Sequence, residues 1–124
     1  MKILFLLFLG ITLLTSCSSA GAEFGSMTGQ EAYELYLSDS DVILLDVRSE
    51  EEFLDRHIAG STSLPVNEIE DLITEVTEDK AAIILVICQS GNRSQVASQI
   101  LVDLGFTNVY DIGGVNRWPG DLIN

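Results

Sequence analysis

One uninterrupted apolar run constrains the fold of this chain more than any other segment. It extends from Ala81 to Ile87 (AAIILVI) and ends at Cys88. Because it shows no polar alternation, it predicts a strand buried on both faces, as in a parallel sheet that helices cover. A second apolar run lies between Asp41 and Asp46. We therefore predict an α/β domain with helices on both faces of a parallel sheet and the 81–87 strand at its centre.

Helical segments alternate with these strands. Two of them open with a capping box, Thr28 with Glu31 and Ser49 with Glu52, in which a hydroxyl and a carboxylate bond free amides of the first turn. The acidic run at 50–52 is interpreted as a solvated helix start that suits the positive end of the helix dipole. The predicted helices span about 29–37, 49–56, 66–76 and 94–104, and a last strand spans about 108–112.

The amino terminus has the pattern of an export signal. Lys2 precedes a short apolar stretch, Ile3 to Leu14, and small polar residues follow it, which is the order found in secretory signal peptides. A bilayer span needs roughly 20 apolar residues, so a transmembrane anchor is the weaker interpretation.

The end of this stretch, residues 14–17 (LTSC), resembles the lipobox of bacterial lipoproteins. The resemblance implies cleavage before Cys17 and lipidation of this cysteine, and several acyl chains together hold a protein stably at a membrane. The alternative is an ordinary signal peptide cleaved after Ala22, since residues 20–22 have the A-x-A form. We expect a protein exported and lipid-anchored to the bacterial cell envelope on its periplasmic side, and Ser18 favours the outer membrane in a diderm organism.

Three segments are therefore predicted along the chain: a lipoprotein signal peptide over 1–16, a flexible Gly-, Ser- and Ala-rich tether over 17–27, and one domain over 28–124. Removal of 1–16 leaves 108 residues, enough for one domain with a modest core. It also changes the formal net charge from −13 to −14. Such a charge argues against nucleic acids and anionic lipid headgroups as partners.

The cysteine and histidine content argues against an internal disulfide and against a zinc site. If Cys17 is lipidated, Cys88 is the one remaining thiol, and a cysteine without a disulfide partner in an exported protein calls for another explanation. One histidine, His57, and one thiol are too few for a zinc site of the usual ligand count. We expect no metal and no cofactor.

Cys88 begins the segment that carries the predicted chemistry. Ligands of open α/β sheets bind beyond the carboxyl ends of the strands, where Cys88 ends the central strand. A buried structural cysteine is the alternative, but the turn residues directly after it favour a nucleophile. Gly91 allows the loop to curl around the sulfur. The free amides of the loop, the helix dipole and Arg93 are expected to form an anion cradle that favours the thiolate.

Residues 88–94 (CQSGNRS) resemble the active-site loop of rhodanese-like sulfurtransferases. Further matches follow the order of that family: LDVR at 45–48, the segment 52–65 with its His-Ile-x-Gly, and the closing GGVNRW at 113–118. The resemblance runs from about residue 28 to 120. It implies the rhodanese-like sheet and a Cys88 persulfide that takes sulfane sulfur from thiosulfate or a persulfide and passes it to a thiol or cyanide.

The resemblance also implies residue roles. Cys88 and Arg93 are predicted to be catalytic, with Arg93 and the loop amides stabilising the persulfide and the leaving sulfite. The substrate-binding loop is predicted to comprise Gln89, Ser90, Gly91, Asn92 and Ser94. Asp46 and Arg48 are expected either to brace this loop or to form a surface ion pair of little energetic weight. His57 matches a structural segment of the family, so we do not expect it to act as a base.

Three positions depart from the common family pattern. Gln89 stands where many active members have arginine, and Arg56 and Ser61 replace a glycine and an alanine. Arg93 is then the single cationic side chain of the loop. Weak thiosulfate binding is therefore expected, and a persulfide is the alternative physiological donor.

Two alternatives stay open. A phosphatase or arsenate reductase also needs a cysteine in a cradle that ends in arginine, but those enzymes resemble C-x5-R, whereas Cys88 to Arg93 is C-x4-R. The shorter loop has room for little more than one sulfur atom. The second alternative is a non-catalytic rhodanese-like binding module, against which the presence of both Cys88 and Arg93 argues.

Overall fold

The computed structural model describes residues 23–124, so the predicted signal peptide, Cys17 and the first part of the tether lie outside the described residues. The strands are β1 (Gly25–Ser26), β2 (Ile43–Asp46), β3 (His57–Ile58), β4 (Thr62–Ser63), β5 (Ile83–Cys88), β6 (Asn108–Gly114) and β7 (Leu122–Ile123). The α-helices are α1 (Gly29–Ser38), α2 (Glu50–Asp55), α3 (Ile69–Val76) and α4 (Asn92–Asp103), with 3-10 turns at Val66–Glu68 and Val115–Arg117. Within 23–124, no helix is long and apolar enough to cross a membrane.

Five strands form one parallel sheet in the order β1-β6-β5-β2-β4. As predicted, β5 lies at its centre, and the segment Ile84 to Cys88 is buried. The strands β3 and β7 form a separate antiparallel pair. Because the five strands of the sheet are parallel, the carboxyl ends of β2, β5 and β6 meet at one edge, which is where Cys88 lies.

Apolar side chains cover both faces of this sheet. Ile84 and Val86 of β5 belong to a cluster with the buried residues of α3 and α4. Leu85 and Ile87 point the other way, into a cluster with α1 and Trp118, as expected from the alternation of side chains along a strand. The two clusters confirm the predicted α/β architecture with helices on both faces.

Several elements begin or end at residues other than those predicted. The central strand continues through Cys88 because Cys88 pairs with Gly114 of β6, a contact that hydropathy does not reveal. The helix α4 begins at Asn92 rather than Ser94, so the turn after Cys88 is tighter than expected. The helix predicted over 66–76 divides into a 3-10 turn and α3, which begins only at Ile69.

The strand β1 corrects the predicted tether. Gly25 and Ser26 pair with Tyr110 and Asp111 of β6, and the Met27 amide donates to the Asp111 carbonyl at 3.1 Å. Gly25 and Ser26 are thus part of the sheet and Met27 is hydrogen-bonded to it, although the tether was predicted to extend through 27. A glycine-serine segment at a sheet edge has no apolar period, so only its pairing with β6 identifies it as a strand.

Candidate active site

The sulfur of Cys88 lies inside the turn between β5 and α4. The residue is 0% exposed, and its Sγ accepts a hydrogen bond from the Gly91 amide at 2.9 Å. The thiol donates to Ser94 Oγ at 3.4 Å, and that hydroxyl donates to the Gly91 carbonyl at 3.0 Å. The loop therefore encloses the sulfur, and the Gly91 amide points at it as an anion-binding N–H group would.

The backbone of Gly91 gives this turn its shape. Its φ of +96° lies in the left-handed region, which glycine adopts without steric cost, as the sequence predicted. Gly91 is also the N-cap residue of α4, and no side chain caps the helix there. The first amides of α4 therefore have no helical acceptor. Around them, Ser94 is buried, whereas Gln89, Ser90 and Asn92 are exposed.

Two glycines of β6 form the wall beside the loop. A Cβ atom added to Gly114 would lie 2.2 Å from the Gln89 carbonyl oxygen, so only glycine allows the two backbones to approach this closely. The pairing of β5 with β6 shifts register after Val86, which sets Gly113 and Gly114 opposite Ile87 and Cys88. The closing Gly-Gly segment belongs to the site, although sequence analysis did not include it among the site residues.

Asp46 and Arg48 form a buried pair, not a surface one. Their side chains are 1% and 5% exposed, and Arg48 Nη2 lies 2.7 Å from Asp46 Oδ2. The same Nη2 donates to the Arg56 carbonyl at 2.6 Å, and Nη1 lies 3.5 Å from Gln89 Oε1. Of the two interpretations left open, the structure supports the brace: one guanidinium connects the end of β2, the end of α2 and the first residue of the loop.

Arg93 contacts a carboxylate rather than the sulfur. Its Nη1 and Nη2 donate to the two oxygens of Glu52 at 2.6 Å and 2.9 Å. Residues 50–52 do lie in the first turn of α2, as predicted, but Glu52 is not simply solvated, because its side chain pairs with Arg93 in the first turn of α4. The pair was not predicted, since the two residues are 41 positions apart in the chain and no local pattern connects them.

Glu52 is held as a carboxylate by two partners. Its side chain accepts from the Ser49 amide while Ser49 Oγ accepts from the Glu52 amide, so the predicted capping box is complete. The hydrogen bond from Arg93, first, and those from Ser49 lower the pKa of Glu52 from 4.5 to about 2. Glu52 in turn raises the pKa of Arg93, with smaller contributions from the charges of Cys88 and Asp46.

A cleft of about 330 Å³ opens beside Arg93. We call it the acidic cleft, and its lining consists of Val47, Ser49, Glu50, Pro65, Val66, Asn67, Glu68 and Arg93. It lies at the carboxyl ends of β2 and β4, because Val47 directly follows β2 and Pro65 lies two residues beyond β4. Arg93, the last residue of the C-x4-R segment, forms one wall. Ligands of parallel sheets bind at this edge.

His57 lies in β3 and has structural contacts. Its ring stacks on Phe53 at a centroid distance of 3.9 Å, and Nδ1 lies 2.8 Å from the Phe53 carbonyl oxygen. Both contacts are with Phe53 of α2, and the absence of a catalytic role for His57 stays a prediction. Within residues 23–124, no group of three or more histidine, cysteine or carboxylate side chains is placed to hold a metal ion.

The chain is similar to known proteins over most of the described domain. The rhodanese-like domain family matches residues 28–121. The thiosulfate sulfurtransferase GlpE of Pseudomonas entomophila is 36% identical over 105 residues, which cover 81% of this chain and 93% of that protein. The adenylyltransferase and sulfurtransferase UBA4 of Meyerozyma guilliermondii is 38% identical over 91 residues, which cover 68% of this chain but only 22% of that longer protein. A rhodanese-related protein from Thermoplasma volcanium superposes with a TM-score of 0.69 at 27% identity, covering 81% of this chain and 98% of that one.

Proposed function

This chain belongs to the rhodanese-like domain family, and from that membership we propose that it is a sulfurtransferase that carries sulfane sulfur as a persulfide on Cys88. The donor in this proposal is thiosulfate or a persulfide, and the acceptor is a thiol or cyanide. One observation carries the proposal: the Cys88 sulfur is enclosed by the strand-to-helix turn, with the Gly91 amide 2.9 Å away. The name of the relative GlpE, a thiosulfate sulfurtransferase, supports the same reaction class.

The proposed reaction has two displacement steps. In the first, the Cys88 thiolate attacks the outer sulfur of thiosulfate, so that a new S–S bond forms while the S–S bond of thiosulfate breaks and sulfite leaves with the electron pair. In the second, an acceptor thiolate attacks the outer sulfur of the persulfide, and Cys88 leaves as a thiolate. The electrons balance without any external oxidant or reductant.

The groups around Cys88 have two proposed roles: some stabilise charge on the sulfur, and others position the loop. The Gly91 amide and the uncapped amides at the start of α4 would stabilise negative charge on the outer sulfur. Arg48 and Asp46 would hold Gln89 and so preserve the shape of the loop. Because the guanidinium of Arg93 is bound to Glu52, we propose that Arg93 acts on the sulfur through its charge and not as a direct ligand of sulfite.

Mass spectrometry of the full chain after thiosulfate treatment tests the proposal. We expect an increase by the mass of one sulfur atom on the peptide that contains Cys88, and its removal by cyanide or a thiol. The adduct should be absent from Cys88→Ser. Cys17→Ser is the matched control, since it replaces the other cysteine of the chain and should keep the adduct. Absence of any adduct with thiosulfate or with a persulfide donor would contradict the proposal.

Phosphate ester hydrolysis is the competing reaction to measure in the same samples. A C-x4-R loop directs its amides at a small volume around one sulfur, whereas a phosphoryl group needs donors spread over several oxygens. We expect no release of nitrophenol from p-nitrophenyl phosphate. Hydrolysis that disappears in Cys88→Ser, together with no sulfur adduct, would favour the phosphatase alternative.

A further inference from the structure

Arg93 is the one cationic side chain of the loop segment 88–94, and the edge of its guanidinium is occupied. Its Nη1 and Nη2 donate to Oε1 and Oε2 of Glu52 at 2.6 Å and 2.9 Å. In this geometry a guanidinium binds carboxylates and other oxyanions through two parallel hydrogen bonds. The Glu52 carboxylate therefore lies where two oxygens of a sulfonate group would have to bind Arg93.

Arg93 is close enough to the nucleophile for this occupation to affect the reaction. It lies in the first turn of α4, two residues after Gly91, whose amide contacts Cys88 Sγ at 2.9 Å. The charge of Cys88 also raises the pKa of Arg93, so the guanidinium and the sulfur interact electrostatically. An oxyanion that leaves from the sulfur on Cys88 would find this edge of Arg93 already bound.

The Glu52 carboxylate is itself fixed in place. Its Oε1 accepts from the Ser49 amide at 3.4 Å and from Ser49 Oγ at 3.1 Å, in addition to Arg93. The hydrogen bond from Arg93, first, and those from Ser49 lower the pKa of Glu52 to about 2. Glu52 therefore stays ionised at neutral pH, and protonation does not free Arg93 there.

The other cations of the domain do not replace Arg93. Residues 23–124 contain four more, of which Arg48 is buried in its own ion pair and Lys80 precedes β5, at the opposite edge of the sheet. Arg56 and Arg117 are exposed, and neither forms an ion pair within the described part of the chain. These two can attract an anion at long range, but they lie outside the loop segment, so their effect must be separated from that of Arg93.

We propose that Glu52 determines the donor specificity of the site: by occupying Arg93, it favours a persulfide, which leaves as a thiolate, over thiosulfate, which leaves as sulfite. This inference rests on the proposed function, because it selects between the two donors of its first step. Glu52 contacts no reacting atom and acts only through Arg93, so it is a positioning residue.

The favoured step needs no oxyanion site. The Cys88 thiolate attacks the outer sulfur of a donor R–S–SH, a new S–S bond forms, and the S–S bond of the donor breaks. The donor leaves as RS⁻ with the electron pair, and the proton stays on the transferred sulfur. Because the leaving group has a single sulfur and no charged oxygens, it does not require the two-oxygen edge of Arg93.

Loading rates with two donors test the specificity. The full chain is treated with thiosulfate or with freshly prepared 2-hydroxyethyl persulfide, which has no sulfonate or carboxylate, and the sulfur adduct on Cys88 is followed by mass spectrometry. We expect wild type to load faster from the persulfide. In Glu52→Gln the rate with thiosulfate should rise, and the ratio of the thiosulfate rate to the persulfide rate should increase about tenfold, because Arg93 can then bind the sulfonate. A misfolded variant cannot produce this gain.

Methanesulfonate measures the same binding without the reaction, since it has three sulfonate oxygens and no transferable sulfur. It should inhibit loading from the persulfide about tenfold more strongly in Glu52→Gln than in wild type. A purely structural role of Glu52 would not strengthen the binding of an anion.

Three further variants locate the effect. Glu51→Gln is the matched control, since it removes the same charge from the same helical turn, whereas Glu51 is exposed and has no ion pair in the described domain. It should keep the wild-type ratio. Glu52→Gln combined with Arg93→Gln should lose the gain, and Glu52→Gln combined with Arg56→Gln should retain it.

Several results would contradict the specificity role of Glu52. They are faster loading of wild type from thiosulfate, an unchanged ratio in Glu52→Gln, an equal change in Glu51→Gln, and a gain that persists without Arg93 or disappears without Arg56. Failure of the proposed function is a different result. A chain that takes up sulfur from neither donor contradicts the persulfide itself, whereas a chain that loads without these changes in ratio contradicts only the role of Glu52.

Discussion

At the scale of single residues, two arginine–carboxylate pairs near the loop differ in burial. They therefore differ in how much each contributes to the free energy of unfolding. The Arg48–Asp46 pair is 5% and 1% exposed, and removing one partner of a buried pair typically costs about 3–5 kcal/mol. The Arg93–Glu52 pair is about one-third exposed on each side chain, and pairs of that kind contribute about 1 kcal/mol or less. Arg48 is thus a structural brace, while Arg93 can change its partner at small cost.

The acid sensitivity of the exposed pair is the first prediction. The folded-state pKa of Glu52 is lowered from 4.5 to about 2, so its stabilising contribution is complete above about pH 4.5 and is lost as the pH falls toward 2. We expect wild type to exceed Glu52→Gln in unfolding free energy by about 1 kcal/mol or less. Glutamine preserves the capping box.

Urea denaturation of both proteins over a series of pH values measures this difference. It should be constant between about pH 6 and 8, because Glu52 is ionised there in the folded and the unfolded chain. It should decrease on acidification. A difference that grows as the pH falls would show that Arg93 does not stabilise the ionised carboxylate.

The second prediction concerns Gly114, beside the loop. In Gly114→Ala the new Cβ would lie 2.2 Å from the Gln89 carbonyl oxygen, so backbone must shift, at a cost of about 1–3 kcal/mol. Gly105→Ala is the control, because its φ of +99° causes strain far from the loop and its Cβ has space. Both variants should be less stable to urea, and only Gly114→Ala should lose most of its sulfur-transfer rate. Equal rates in the two would exclude Gly114 from the site.

At the scale of elements, the short helix α2 supplies Glu52, the carboxylate that binds Arg93. It spans only Glu50–Asp55, and a helix of this length is not stable in isolation. Its position depends on the complete capping box of Ser49 and on the contact of Glu52 with Arg93. The longer helix α1 has a simpler start, in which Thr28 Oγ1 accepts from the Glu31 amide at 3.1 Å. Substitutions at the two caps can therefore be compared: both should lower stability, but only the cap of α2 lies near the active-site loop.

The third prediction compares these caps. Ser49→Ala and Thr28→Ala each remove a hydroxyl that caps a helix, so each should lower the unfolding free energy by about 1 kcal/mol. Ser49→Ala should also alter the rate at which sulfur-loaded Cys88 passes its sulfur to a thiol, because α2 orients Glu52 toward Arg93. Thr28→Ala should leave that rate unchanged. Urea denaturation and the single-turnover rate provide the two readouts, and a rate loss in Thr28→Ala alone would contradict this role of α2.

At the scale of the whole molecule, the parallel sheet brings the site together. Its residues come from four separate segments, 46–48, 52, 88–94 and 113–114, and they meet because parallel strands end at the same edge. The full chain has a formal net charge of −13. A net negative charge of this size disfavours anionic partners at long range.

The fourth prediction concerns attachment of the whole domain. We propose that Cys17 is lipidated and tethers the domain to the bacterial envelope, because residues 14–17 resemble a lipobox. Expressed in a bacterium supplied with labelled fatty acid, the full chain should incorporate the label, and Cys17→Ser should not. Cys88→Ser is the matched control and should stay labelled. A mature protein that begins at Glu23 would favour cleavage after Ala22 instead.

Hydropathy and turn residues were sufficient to predict the central strand, the helix after it and the place of Cys88 at the end of that strand. The run at 81–87 has no polar residue, which favours a strand in the interior of a sheet. The turn residues after Cys88 predict a loop at the end of that strand. Gly91 was predictable for the same reason, since a tight turn needs a residue that tolerates its φ of +96°. These features depend on hydropathy and local backbone preference, and both are set by residues that are close together in the sequence.

The pairing of charged groups could not be predicted from the sequence, because it depends on how the chain folds. Glu52 and Arg93 are 41 positions apart, and an exposed helix start looks the same in sequence whether its carboxylate meets solvent or an arginine. The burial of Arg48 and the strand at Gly25–Ser26 were hidden for the same reason. Both depend on contacts between distant segments, and the energy of such contacts arises only when the sheet brings those segments to one edge.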